Sequence, residues 1–341
     1  MLRACLSLAL CAAALAQDVG PDDVNGAIDR AVAWLRAQPS GFEADSAKEL
    51  TAIALVHAGV KPDQAPLAKL LARIASDEPM ATYNASLAAV AFALVDPAKY
   101  RSPLVRCGQW IVDAQCANGQ WTYDGPTLRG RDPIVRKDGS IALRSQRGAV
   151  SARGDNSNTQ FALFGLWAIS KAGIEVPSAV FERAGSYWRN AEKIGGGWSY
   201  TADQETYGSM TCAGVTALEI CGSALDAPER YRKPIEGGLA WLGGRFSVTE
   251  NPGLDERHLY YYLYSLERAC ALSGTAKLGE HDWYQEGARF LLLGQRLDGS
   301  WEGKTTSTCF AILFLRKATL SLVAPKDGDK KIPDTARSDE R

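Results

Sequence analysis

Three stretches of this 341-residue chain repeat one another at fixed spacing. They are WIVDAQCANGQW (110–121), YWRNAEKIGGGW (187–198) and FLLLGQRLDGSW (290–301). Each opens on an aromatic residue. Gln115, Glu192 and Gln295 then share one column, Gly119, Gly196 and Gly299 another, and Trp121, Trp198 and Trp301 close the motif. Self-similarity of this kind marks an architecture in which each unit buries its apolar face only against its neighbours. The local chemistry is readable. The end of a helix meets a glycine turn, where positive φ is cheap. The Trp can fold back on that helix end, and the Gln or Glu can hydrogen-bond the turn backbone. Because the device recurs in every copy, these residues are expected to be structural staples. A shorter copy, WLRAQPSGF, covers 34–42, and a weaker one covers 238–246.

A second helix follows each turn. These begin near Ser46, Asn84, Asn158, Ser209, Arg257 and Thr306, and they are apolar on nearly every side, as helices buried on both faces must be. The helices preceding the turns, such as 28–37, 66–75, 180–192 and 286–293, are amphipathic. Six half-polar outer helices and six buried inner ones predict an all-α fold, an α/α toroid, over 17–324. The composition, 46% apolar and 23% charged, supplies the core this needs.

Between the staple at 110–121 and its inner helix lies an insert, 124–154, carrying Arg129, Arg131, Arg136, Lys137, Arg144, Arg147 and Arg153. Asp138-Gly139 between short apolar runs is a hairpin signal. By position the insert could act as a basic lid over the cavity mouth or lie as a surface hairpin. The tail 325–341 is charged and is expected to be disordered.

The stretch MLRACLSLALCAAALAQDVG has one Arg, a short apolar run, and a small-x-small site before Gln17. It predicts a cleaved signal peptide, 1–16, and a secreted or periplasmic mature protein. No stretch is long enough to span a bilayer. The net charge of −1 gives no nucleic-acid footprint. Of the six remaining cysteines, Cys107, Cys116, Cys212, Cys221, Cys270 and Cys309, most sit in apolar helical runs, where packing is favoured over bridging. No C-x-x-C occurs, which argues against a Cys-rich zinc site; no metal or cofactor is expected. Nothing in the pattern specifies an oligomeric state.

The Q-x3-G-x-W staples resemble the QW motif of squalene and oxidosqualene cyclases. The hairpins look like the prenyltransferase and squalene-oxidase repeat shared by those cyclases and the β subunits of protein prenyltransferases, over roughly 27–324. The resemblance implies that the inner helices line a central cavity with their N-terminal ends at its mouth. The candidate site is then Glu43 and Asp45; Tyr83 and Asn84; Asp155, Asn156, Asn158 and Gln160; Tyr207, Ser209 and Thr211; Arg257, His258 and Tyr261; and Thr305 and Thr306. A polar mouth over aromatic and apolar walls suits an amphiphilic, isoprenoid-like ligand. Ser46, Asn84, Asn158, Ser209 and Thr306 also read as helix caps.

Bacterial cyclases of this kind carry D-x-D-D-T-A, whose middle Asp protonates an alkene. The matching residues here are Asp155-Asn156-Ser157-Asn158-Thr159-Gln160. Ser157 stands where the acid would be, and a hydroxyl cannot protonate an alkene. The prenyltransferase zinc set is also incomplete, because the close Asp-x-Cys pair is missing; Asp203, Cys212 and His258 are the nearest substitutes. A Gly-Cys-Gly-Glu-Gln thioester motif is absent from the sequence. The reading is a toroid that binds without cyclase chemistry. Two alternatives stay open: a hydrolase or lyase acting on an anionic glycan, and a protein-binding scaffold.

Overall fold

The computed structural model describes residues 18–38, 47–126 and 131–319. The expected signal peptide, the tail, Glu43, Asp45 and Ser46 lie outside them. Twelve α-helices are present among the described residues. The outer set is α1 (Pro21–Ala37), α3 (Leu67–Ser76), α5 (Arg101–Asp113), α7 (Ser178–Ala191), α9 (Arg232–Gly243) and α11 (Trp283–Gly294). The inner set is α2 (Ala47–His57), α4 (Thr82–Val95), α6 (Asn156–Lys171), α8 (Gly208–Ala224), α10 (Leu259–Leu272) and α12 (Thr305–Leu315).

The inner helices pack in chain order, and α12 returns to pack on α2, closing the ring. In α6 every residue from Asn156 to Ile169 is buried, as its two-sided packing requires. The outer helices bury one stripe. In α1 it is Val24, Ala27, Ile28, Ala31, Val32 and Leu35, at the spacing of a single helix face.

The staples act between outer helices. Gln115 donates to its own turn at Gly119 O (3.1 Å), as expected, and also to Val180 O on α7 (3.0 Å). Gln295 repeats this with Gly299 O (2.9 Å) and Ala27 O on α1 (2.8 Å). The third staple therefore sews the last outer helix to the first. The indole N–H groups of Trp121, Trp198 and Trp301 donate to Ile111 O, Trp188 O and Leu291 O, each ten residues back. The turn glycines are required twice over. Gly119, Gly196 and Gly299 have φ near +90°. A Cβ on them would also lie 2.5–2.6 Å from Arg183 O, Gly237 O and Arg30 O of the next outer helix. Glu192 keeps the column but has no N–H to donate, so the middle staple lacks the amide bonds of the other two.

Among the described residues, the hairpin of the insert does not cover the mouth. Its two short strands, β1 (Ile134–Val135) and β2 (Ile141–Ala142), form the expected antiparallel hairpin. β2 then pairs in parallel with β3 (Ile174–Glu175), just past the C-terminal end of α6 and so at the end opposite the mouth. Arg131 pairs with Asp113, and Arg136 with Glu175. Arg144 donates to Asp132 O, while its backbone N–H bonds Gln109 on α5. Leu143 packs so closely that a Cβ on Gly108 would meet it at 2.7 Å. Backbone pairing and Leu143 burial thus draw the insert onto the outer wall. All six described cysteines are buried free thiols.

Candidate functional site: the mouth of the toroid

The mouth is built from the first turns of the inner helices. Asp155, in extended backbone, is the N-cap of α6. Its Oδ1 accepts the Asn158 backbone N–H and its Oδ2 the Asn158 side-chain amide, both at 2.8 Å. Burial raises the Asp155 carboxyl above its ordinary range, against these donors. Asn158 is thus inside the first turn, and the cap is Asp155. Asn84, Ser209 and Thr306 likewise lie within their helices, which start at Thr82, Gly208 and Thr305.

At the centre, three inner helices meet through side chains. Tyr83 of α4 hydrogen-bonds Ser157 of α6. Ser157 also bonds the Tyr261 hydroxyl of α10 at 2.7 Å. Gln160 donates from Nε2 to that same hydroxyl. Arg268, two turns deeper in α10, donates from Nη2 to Gln160 Oε1 (2.7 Å) and Ser265 Oγ (3.2 Å). Because α8 stands between α6 and α10, these contacts reach across the ring. Aromatic rings frame the chain. Phe161 lies 4.7 Å from Tyr83 and 6.2 Å from Tyr261, and Phe310 lies 5.9 Å from Tyr261. Burial pushes the Tyr261 hydroxyl up to about 12, with Arg268 pulling the other way. Burial also raises Tyr83 well above its ordinary value.

Arg268 is only 1% exposed. Its guanidinium sits 4.4 Å from Tyr264, 4.7 Å from Phe161 and 5.5 Å from Phe164. Desolvated contacts of this kind are each worth up to about 2 kcal/mol. Its Nε and Nη1 have no hydrogen-bond partner. The adjacent Glu267 faces away and accepts from Thr319 N (3.0 Å) and Oγ1 (2.8 Å).

The other candidate residues separate from this cluster. Asn156 is structural: its Nδ2 donates to Ser199 O (2.7 Å), and its Oδ1 accepts from Gln120 (3.0 Å). Ser209 is locked to Asn251, which accepts its N–H at 2.8 Å and donates to its Oγ at 3.1 Å. Tyr207 is the half-buried N-cap of α8. His258 is exposed, in left-handed backbone at φ +59°, with no capping bond. Asn84 lines a separate cavity of about 330 Å³ with Lys48, Glu49 and Asp77. Among the described residues no group of three or more His, Cys, Asp or Glu side chains is placed to hold a metal. No helix of the described residues is long and apolar enough to cross a membrane. Sequence reasoning missed Arg268; its signal was a pair of charges, Glu267-Arg268, inside an otherwise apolar inner helix.

A toroid of this size, with inner N-termini at one mouth, invites comparison with solved structures. A variant of the type II terpene cyclase MstE from Scytonema, in complex with geranylgeranyl dihydroxybenzoate, is similar at TM-score 0.52 and 14% identity, covering 88% of this chain and 98% of that one. Substrate-free MstE is similar at TM-score 0.51 and 13% identity, covering 87% and 99%. Candida albicans protein geranylgeranyltransferase-I, complexed with GGPP, gives TM-score 0.51 and 13% identity over 88% and 91%. The fold is the α/α toroid of terpene cyclases and protein prenyltransferases. No protein-family model matches the sequence. No curated protein matches it. At these identities the toroid likeness fixes architecture, and chemistry has to be read from the side chains.

Proposed function

We propose that this protein binds an amphiphilic, isoprenoid-like ligand at the mouth of the toroid and does not protonate an alkene there. The observation that carries this reading is the Tyr83–Ser157–Tyr261 hydroxyl chain, centred on Ser157, the residue that the motif resemblance aligns with the cyclase acid. Hydroxyls held this way give and receive hydrogen bonds, but they are far too weak as acids to make a carbocation. Half-buried Tyr83, Tyr207, Tyr261 and Phe310 supply aromatic walls for an apolar segment. MstE and the geranylgeranyltransferase, in the complexes above, hold geranylgeranyl compounds, which supports an isoprenoid as the ligand class. We further propose that the mature chain begins at Gln17 and is exported.

A second reading, a protein-binding scaffold, draws support from the Gln160–Arg268 bond, which bridges the ring interior. Native mass spectrometry of the protein purified from its own host, with lipid extraction, separates the two. A co-purifying isoprenoid favours the ligand reading. No lipid in the native protein, and no saturable binding of geranylgeraniol, favours the scaffold. N-terminal sequencing of the same material tests processing before Gln17.

A further inference from the structure

Arg268 sets the direction of every hydrogen bond in the chain that ends at Tyr83. A guanidinium donates and cannot accept. Gln160 must therefore present Oε1 to it and Nε2 to Tyr261. The Tyr261 oxygen receives that proton, and in the bond to Ser157 Oγ, where either oxygen can donate, the arrangement that gives each hydroxyl one donor and one acceptor has Tyr261 donating. Ser157 is buried, and its proton finds an acceptor in Tyr83. One proton is then left over, on the Tyr83 hydroxyl. Tyr83 is half-buried, stacked beside Tyr123, which is 54% exposed. The spare donor thus belongs to the member of the chain that lies beside an exposed side chain. Each link polarises the next in a medium of low dielectric. No carboxylate hydrogen-bonds the Arg268 guanidinium, whose Nη2 is given to Gln160 and Ser265, and the adjacent Glu267 turns its oxygens to Thr319. The nearest competing charge at the mouth, Asp155, spends one hydrogen bond from each oxygen on Asn158.

We propose that the Tyr83 hydroxyl is the head-group donor of the mouth, polarised by Arg268 through Gln160, Tyr261 and Ser157, and that it selects an oxygen-acceptor head group over an amine. This inference rests on the ligand reading above. Arg268 acts here as a positioning residue, since it reaches the ligand only through the chain.

The test compares two probes with the same C10 tail, geranic acid and geranylamine, by calorimetry. The wild type is expected to bind the acid at least tenfold more tightly. Y83F removes that ratio. R268M shrinks it at least threefold, while R268K, which keeps the charge, retains most of it. The Y83F/R268M double variant is no worse than Y83F, because both act on one donor. Thermal melting checks that each variant is folded. A merely structural role for Arg268 would weaken both probes equally and leave the ratio unchanged, and that result overturns the proposal. Binding of both probes without preference by the wild type overturns it too, and leaves the ligand reading standing. Binding of neither removes the ligand reading and the proposal together.

Discussion

The Gln295 side-chain amide donates to the main-chain oxygen of Ala27, 2.8 Å away and 268 residues earlier in the chain. Arg30 of the same first helix donates back to Gln295 Oε1 (3.0 Å from Nε). This seam is one of the few places where the two ends of the repeat array meet. Gln295→Ala is expected to cost about 1–3 kcal/mol, since it strands the Ala27 and Gly299 carbonyls. The loss should also be local. Hydrogen exchange should accelerate across α1 in this variant, and not in Gln115→Ala, whose partner helices have covalent neighbours on both sides. Unchanged α1 protection would remove the seam from the account.

A threonine in the first turn of an inner helix completes each full staple. Thr159, Thr211 and Thr308 accept the backbone N–H of Trp121, Trp198 and Trp301 at 3.0, 3.3 and 3.1 Å. Thr308→Val keeps the shape and leaves a buried N–H without an acceptor, at a cost of about 1–3 kcal/mol. Thr159→Val should cost about the same. The two sites are on different inner helices and should add in the double variant. Urea denaturation measures both, and a neutral Thr308→Val would refute the role.

Glu192 is the weak staple. Burial raises its carboxyl above the ordinary value, and it cannot supply the amide donor that Gln115 and Gln295 provide. Glu192→Gln is therefore expected to stabilise the fold by about 1 kcal/mol. A lowered melting temperature would show that the middle turn is held in some other way.

Two desolvated groups, buried Glu267 and half-buried His57, titrate in opposing senses. Burial pushes Glu267 from 4.5 up to about 7, so its contribution to stability is full below about 4.5 and lost as pH rises through about 7. Burial lowers His57 from 6.5 to about 4, with Arg316 adding to the effect. Its contribution is full above about 6.5 and lost as pH falls towards 4. Between pH 4.5 and 6.5 the two slopes oppose, and the wild-type melting temperature should change little. Glu267→Gln should make it climb with pH, and His57→Asn should make it fall. If both variants keep the wild-type profile, neither group carries the assigned shift.

The staples were legible because their spacing is local: Gln115, Gly119 and Trp121 lie within seven residues and fix one turn. Their destinations were not. Nothing near Gln115 names Val180, which is brought to it by the packing of a different hairpin. The mouth divides the same way. Helix starts can be read from sequence, but successive residues on a helix point about 100° apart. Tyr83 therefore joins Ser157, while Asn84 turns to another cavity. The insert's hairpin was written in Asp138-Gly139, whereas its docking depended on β3, some thirty residues on. Arg268 stayed hidden because a buried cation that no carboxylate hydrogen-bonds breaks the usual expectation for an inner helix.

The closed ring also bears on what order means for this molecule. α1 packs on both α11 and α12, Val19 N–H bonds Gln285 (2.8 Å), and Arg316 bonds Asn25 (2.8 Å). The first and last described helices are direct neighbours. Joining them with a linker and cutting the exposed stretch 255–258 before α10 would leave the three staples unbroken. The array is a circle of hairpins, and where the ribosome enters it is a matter of genetics and not of mechanics.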